Sequence, residues 1–195
     1  MRVNLDLAGG QEELAARTLT EDEYLASLTV KRGASYPQYP YWAAVKNQWR
    51  SEYVGRHARA GAPVGAALVL YRRLPGTRKY FTYVPEGPVA DWEDPTIDKW
   101  LGPLMNHLRR AGAFAARVGP SPGYQRWHAA VLKAATGPGR RVAVLVARHV
   151  ESVGATVADR LRSLSRQRCG SDNDGDAQPR YVFSVPLAGR TLDDL

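Results

Sequence analysis

The chain has 195 residues, enough for one ordinary domain, and its 44% hydrophobic and 24% charged side chains are the balance of a globular protein with a sizeable core. No run approaches roughly 18 uncharged apolar residues, Asp6 interrupts any leader-like start, and the single Cys169 excludes an internal disulfide or a cysteine-rich zinc site. The net charge of +8 is uneven: residues 1–30 hold six acids against two bases, residues 99–168 thirteen bases against two acids. This basic half suits either an ordinary solvated surface or a polyanionic partner.

In chain order, residues 2–7 read as a short strand. Thr20 followed by Glu23 is a capping box that opens a helix over 21–28. Residues 36–40 (Tyr-Pro-Gln-Tyr-Pro) predict a stiff extended lead-in, because each proline disfavours the helical region for its predecessor. A helix is expected over 41–50, with Trp42, Val45 and Trp49 on one apolar face and Lys46 at its margin. Residues 52–58 and 64–72 read as strands joined by a turn at Ala60 and Gly61, and the apolar run 65–71 predicts a central strand buried on both faces.

A third strand is expected over 79–84. Asp94 and Pro95 have the chemistry of an N-cap and first helical position, and Gly112 that of a helix stop after Arg109 and Arg110. Residues 113–118 predict a fourth strand, 124–135 and 155–168 helices, and 181–185 a last strand. The segment 136–150 reads as either strand or insertion, and 171–176 as an acidic loop. Thr191, with Asp193 and Asp194, has the pattern of a helix start. Strands and helices mixed in this way predict an α/β (α+β) layered domain.

Familiar chemical signatures are missing. There is no P-loop, dinucleotide fingerprint, zinc-protease helix or serine-hydrolase elbow, and the four histidines are spread one to an element. Asp172, Asp174 and Asp176 lack the glycine and closing glutamate of a calcium loop. No metal site is expected.

Four local patterns carry a resemblance. They are Trp42-Ala-Ala-Val-Lys-Asn-Gln-Trp49, the strand from Gly65 to Leu74, Tyr83-Val-Pro-Glu-Gly-Pro-Val-Ala-Asp91, and Arg117-Val-Gly-Pro120 ahead of a helix. Their order and spacing over roughly 35–195 resemble the Fem family of peptidoglycan-bridge aminoacyltransferases. The resemblance implies a GNAT-like acyltransferase fold, with residues 1–195 forming the first of two such domains, truncated at its C-terminal end and inactive alone. It implies transfer of an amino acid from aminoacyl-tRNA, a co-substrate, to the stem peptide of a peptidoglycan precursor. No cofactor is implied. The partners are then aminoacyl-tRNA and UDP-MurNAc-pentapeptide or lipid II, in the cytoplasm, with any contact to the inner membrane surface peripheral.

Position by position, the resemblance gives Lys46 the role of holding the precursor's phosphate, and makes Tyr83, Gly87, Pro88 and Arg117 substrate-binding candidates. Gly119 stands where some members carry an acid, so a carboxylate role does not transfer, and no catalytic residue is named. Two other readings stay open. An acetyl-CoA-dependent N-acetyltransferase of the same fold would need a Q/R-x-x-G-x-G/A loop. The arginine or glutamine three before Gly76, Gly112 and Gly170 is followed instead by Arg78, Phe114 and Asp172. A non-enzymatic RNA-binding module would use the arginine-rich stretch, without any RNA-binding signature in the sequence.

Overall fold

A computed structural model describes residues 15–30, 34–57, 63–121, 127–128, 130, 152–163, 189 and 191. The strands expected at 2–7 and 181–185, the turn at 60–61, the segment 136–150 and the acidic loop lie outside these residues. So do most of the helix at 124–135 and of the helix start at Thr191.

The element order is β1 (Arg17–Thr18), α1 (Glu21–Val30), a 3-10 turn (Tyr36–Gln38), α2 (Pro40–Val45), β2 (Arg50–His57) and β3 (Pro63–Arg73). There follow β4 (Tyr80–Val84), β5 (Val89–Ala90), α3 (Asp98–Arg110), β6 (Ala113–Val118) and α4 (Ser152–Ser163). One mixed sheet runs β1-β2-β3-β4-β6, with β5 paired to β3. The β1/β2, β2/β3 and β3/β4 pairs are antiparallel, whereas β4 and β6, joined through α3, run parallel. The α+β class expected from the sequence is the class observed.

The apolar run in β3 sits at the centre, as predicted. Ala66 to Tyr71 are each at most 1% exposed, and alternate residues feed two cores. Ala67, Val69 and Tyr71 join Val54, Val84 and the buried stripe Trp100, Leu101, Leu104 and Leu108 of α3. Ala66, Leu68 and Leu70 join Leu19, Tyr24, Leu28 and Tyr83 beneath α1 and α2. The capping box forms as written: the Thr20 amide donates to Glu23 Oε2 at 2.9 Å, and the Glu23 amide to Thr20 Oγ1 at 3.2 Å.

Three local expectations need correction. Residues 36–40 are not extended throughout, because Pro37 fits the first turn of a 3-10 helix and only Ser35 and Tyr39, at ψ 160° and 151°, stay extended. The helix expected over 41–50 ends at Val45. Lys46 leaves the helical region at φ −92°, ψ 40°, and a turn redirects Trp49 toward the sheet. Trp42 and Trp49 still pack on the second core, but Val45 is 63% exposed and belongs to no apolar face. Asp94 is not the N-cap of α3. Its Oδ1 accepts from the Thr96 amide at 2.7 Å, closing a turn, and the helix begins at Asp98.

Pro103 lies inside α3 and has no N–H for the carbonyl of Lys99, four residues earlier. The Arg56 guanidinium, buried beside α3, takes that place: Nη1 donates to Lys99 O at 2.6 Å. A strand side chain thus completes the helix.

Glu52 clasps four elements on the α3 face. It accepts from Thr18 Oγ1 at 2.6 Å, Tyr71 OH at 2.5 Å and His107 Nε2 at 2.7 Å. Burial pushes its carboxyl up, but the hydrogen bonds from His107, Thr18 and Tyr71 outweigh that and hold its pKa at about 2. The bond to Glu52 raises His107 in turn, against the opposing effect of burial.

The signs give two pH limits. The Glu52 contribution is complete above its ordinary value of 4.5 and is lost as the pH falls through about 2. The His107 contribution is complete below 6.5 and is lost as the pH rises through its raised value. Thermal unfolding should therefore show a falling midpoint on both the acid and the alkaline side. His107→Phe should abolish the alkaline decline and cost about 1.5–3 kcal/mol near neutrality; an unchanged alkaline limb would contradict this clasp.

Candidate functional site

The parallel pair β4/β6 has its carboxyl ends side by side, and in open α/β sheets ligands bind beyond such ends. Tyr83 lies in register with Arg117, and Val84 with Val118. The ladder closes one residue later, where the Gly119 amide donates to Val84 O at 3.2 Å. The strands then part. Gly119, where a carboxylate was not carried over, thus has a backbone task.

Alternation along β4 puts Phe81 and Tyr83 on the face covered by α1 and α2. Tyr83 is 7% exposed, so its ring is mostly core. Arg117, its register neighbour, is half-buried. Lys46 approaches from the end of α2: its Nζ lies 4.9 Å from the centroid of the Trp42 ring. Trp42 packs on the same core as Tyr83, which links the two motifs through one apolar layer. The Trp42 indole N–H is buried without an acceptor among the described residues. A second cation of this face, Arg72, lies 5.8 Å from the centroid of Trp49.

Beyond β4 the chain enters Pro85, Glu86, Gly87 and Pro88. Pro85, Gly87 and Pro88 are buried, Glu86 adopts φ 43°, and the Gly87–Pro88 peptide is cis. Trp92 Nε1 donates to Pro88 O at 3.2 Å and fixes the far side of the loop. The close approach that Gly87 permits is to a protein group: a Cβ there would lie 2.6–2.9 Å from the carboxamide of Gln38.

Gln38 is the residue that the motifs do not reveal. It is fully buried, and its Nε2 donates to Pro85 O. Its Oε1 accepts from the Leu68 amide at 3.0 Å and from Tyr24 OH at 3.0 Å, while Tyr24 OH also lies 2.7 Å from Gln38 O. The burial of this cluster pushes the Tyr24 phenol well above its usual range. The one available signal was a lone amide among tyrosines and prolines.

The structure therefore places Lys46, Tyr83 and Arg117 about a single face of the sheet, with Gly87 and Pro88 in the loop that leaves it. No group of three or more metal-ligating side chains occurs among the described residues, and none of their helices is long and apolar enough to cross a membrane.

Gly87→Ala should destabilise the fold by about 1–3 kcal/mol, since the new methyl meets a fully bonded side chain. Gly102→Ala, on α3 with nothing beyond its chain neighbours within 4 Å of its Cβ, should change stability by less than about 1 kcal/mol, the helix propensity of Ala being opposed by the ring of Pro103. Denaturant unfolding of both variants checks the contrast, and a neutral Gly87→Ala would contradict the loop packing.

The FemAB family model matches residues 19–195. Among solved structures, a crystal structure of FemX aligns at 19% identity and a TM-score of 0.45, covering 53% of this chain and 26% of FemX. The chain thus spans about a quarter of that protein's length in the alignment. An acetyltransferase of Trypanosoma brucei aligns at 12% identity and a TM-score of 0.34, covering 65% of this chain and 92% of that one. No curated protein matches the sequence.

Proposed function

This chain belongs to the FemAB family, and on that premise we propose that it serves peptidoglycan-bridge formation. Its part is transfer of an amino acid from aminoacyl-tRNA to the stem-peptide amine of a precursor, UDP-MurNAc-pentapeptide or lipid II. The observation that carries the reading is the family match across 19–195, which includes Lys46, Tyr83, Gly87, Pro88 and Arg117. A GNAT-like domain, one of two in the working protein, and a cytoplasmic setting are part of the same proposal.

In the reaction, the amine attacks the ester carbonyl that joins the amino acid to tRNA. A new amide bond forms, the ester C–O bond breaks, the amine loses a proton and the tRNA leaves with its hydroxyl. Such chemistry asks chiefly for attack geometry and for stabilisation of charge at the carbonyl. Both substrates are large anions, and the thirteen bases of residues 99–168 favour their approach.

Lys46 is assigned to the precursor's phosphate. Its ammonium lies 4.9 Å from the centroid of the Trp42 ring, so the charge is held at a packed aromatic base rather than on a free chain. Tyr83 and Arg117 are assigned to substrate at the carboxyl ends of β4 and β6. Gly87 and Pro88 belong to the loop that leaves β4 just beyond Tyr83.

Lys46→Met keeps an unbranched side chain of similar length and removes the charge. It should weaken precursor binding about ten- to hundredfold, the loss expected of a charge-assisted hydrogen bond, and leave the unfolding midpoint and tRNA binding nearly unchanged. Quenching of tryptophan fluorescence in a precursor titration measures it. Normal precursor affinity in the folded variant would remove Lys46 from the site.

A further inference from the structure

We infer that Gln38 is a positioning residue that sets the spacing between the two halves of the site, an inference that rests on the functional reading above. One half is α2 with Trp42 and Lys46, which begins two residues after Gln38. The other is the exit of β4 with Tyr83 and the loop Pro85 to Pro88. The Gln38 carboxamide is bonded to both β3 and that loop.

The sheet leaves it a defined place. β4 pairs with β3 from Leu70 to Arg73, and β5 pairs with β3 at Gly65 and Ala66. The Leu68 amide lies between the two pairings and donates to Gln38 Oε1 at 3.0 Å. The side chain therefore occupies the opening created where the chain leaves β4 and returns as β5.

Its orientation is forced. With Oε1 on the Leu68 N–H and the Tyr24 hydroxyl, Nε2 faces the carbonyl of Pro85. Turning the carboxamide over would set donor against donor at Leu68 and acceptor against acceptor at Pro85. The loop has few anchors of its own, since Pro85 and Pro88 lack N–H groups. Gly87, whose missing Cβ lets the carboxamide lie flush against the backbone, completes the fit.

A mere filler of the strand gap would need only Leu68. The further bond to Pro85, the first residue past β4, is what couples the segment bearing Lys46 to the loop bearing Gly87.

Gln38→Glu tests this, because an ionised carboxylate keeps the acceptor for Leu68 and Tyr24 but loses the donor for Pro85. Tyr24→Phe is the control: it removes a hydroxyl from the same cluster and leaves the Pro85 bond. Amide hydrogen exchange at Glu86 and Gly87 and the affinity for UDP-MurNAc-pentapeptide are measured for each, alongside the unfolding midpoint. In Gln38→Glu, exchange at both amides should quicken at least about tenfold at neutral pH, and affinity should fall about tenfold. Lowering the pH until the carboxyl carries its proton should restore both, because the acid then donates to Pro85 again. Tyr24→Phe should leave affinity within about twofold, whatever its unfolding midpoint.

Exchange and affinity in Gln38→Glu that match Tyr24→Phe would overturn the inference. If the unaltered protein binds no precursor, the functional reading fails. The exchange data then still decide whether Gln38 holds the loop. Should Gln38→Glu fail to fold at neutral pH, the comparison at acid pH with Gln38→Leu, which never donates, decides: slow exchange in the first and fast in the second supports the donor, and equal rates overturn it.

Discussion

One buried carboxamide organises the face of the sheet on which the site is built. Gln38 stands where the hydrogen-bond ladder of β3 is interrupted, and without it Leu68 would keep a buried amide with no acceptor. An unmade bond of that kind costs about 1–3 kcal/mol. Tyr24 holds Gln38 from α1, and Pro85 receives its proton-bearing nitrogen at the end of β4. Helix, central strand and site loop thus depend on one set of contacts.

Polar and charged groups brace both faces of the sheet. On the α3 face, Glu52 is satisfied by Thr18, Tyr71 and His107, and Arg56 supplies the donor that Pro103 removes. These polar groups are spent on holding elements together. Cations lie against aromatic rings on both faces, Arg50 on Tyr71 on the α3 face, and Lys46 on Trp42 and Arg72 on Trp49 on the α1/α2 face. A cation held on a packed aromatic base, as Lys46 is on Trp42, suits recognition of an anion.

Much of this was readable from sequence where local rules decide. The capping box at Thr20, the stop at Gly112 and the buried run of β3 follow from residues close together in the chain. The helix at 41–50 misled because its apolar spacing is set by two tryptophans that reach the core from different segments, one from α2 and one from the turn before β2. Asp94 misled because an aspartate before a proline suits a turn as well as a cap. The order of the four motifs placed Lys46, Tyr83, Gly87, Pro88 and Arg117 as candidates, but not the spacing between them. Gln38, Glu52 and Arg56 were illegible for one reason: their partners lie 14 to 55 residues away, and only the folded register joins them.

Under the proposed function, anionic precursor binds at the end of α2 and the carboxyl ends of β4 and β6. Chemical-shift mapping of backbone amides during titration with UDP-MurNAc-pentapeptide tests it most directly. Saturable shifts should cluster at Lys46, Tyr83, Glu86, Gly87 and Arg117, with the α3 face around Glu52 and His107 unmoved. Saturable shifts confined to the α3 face, or none at any of these residues, would contradict it.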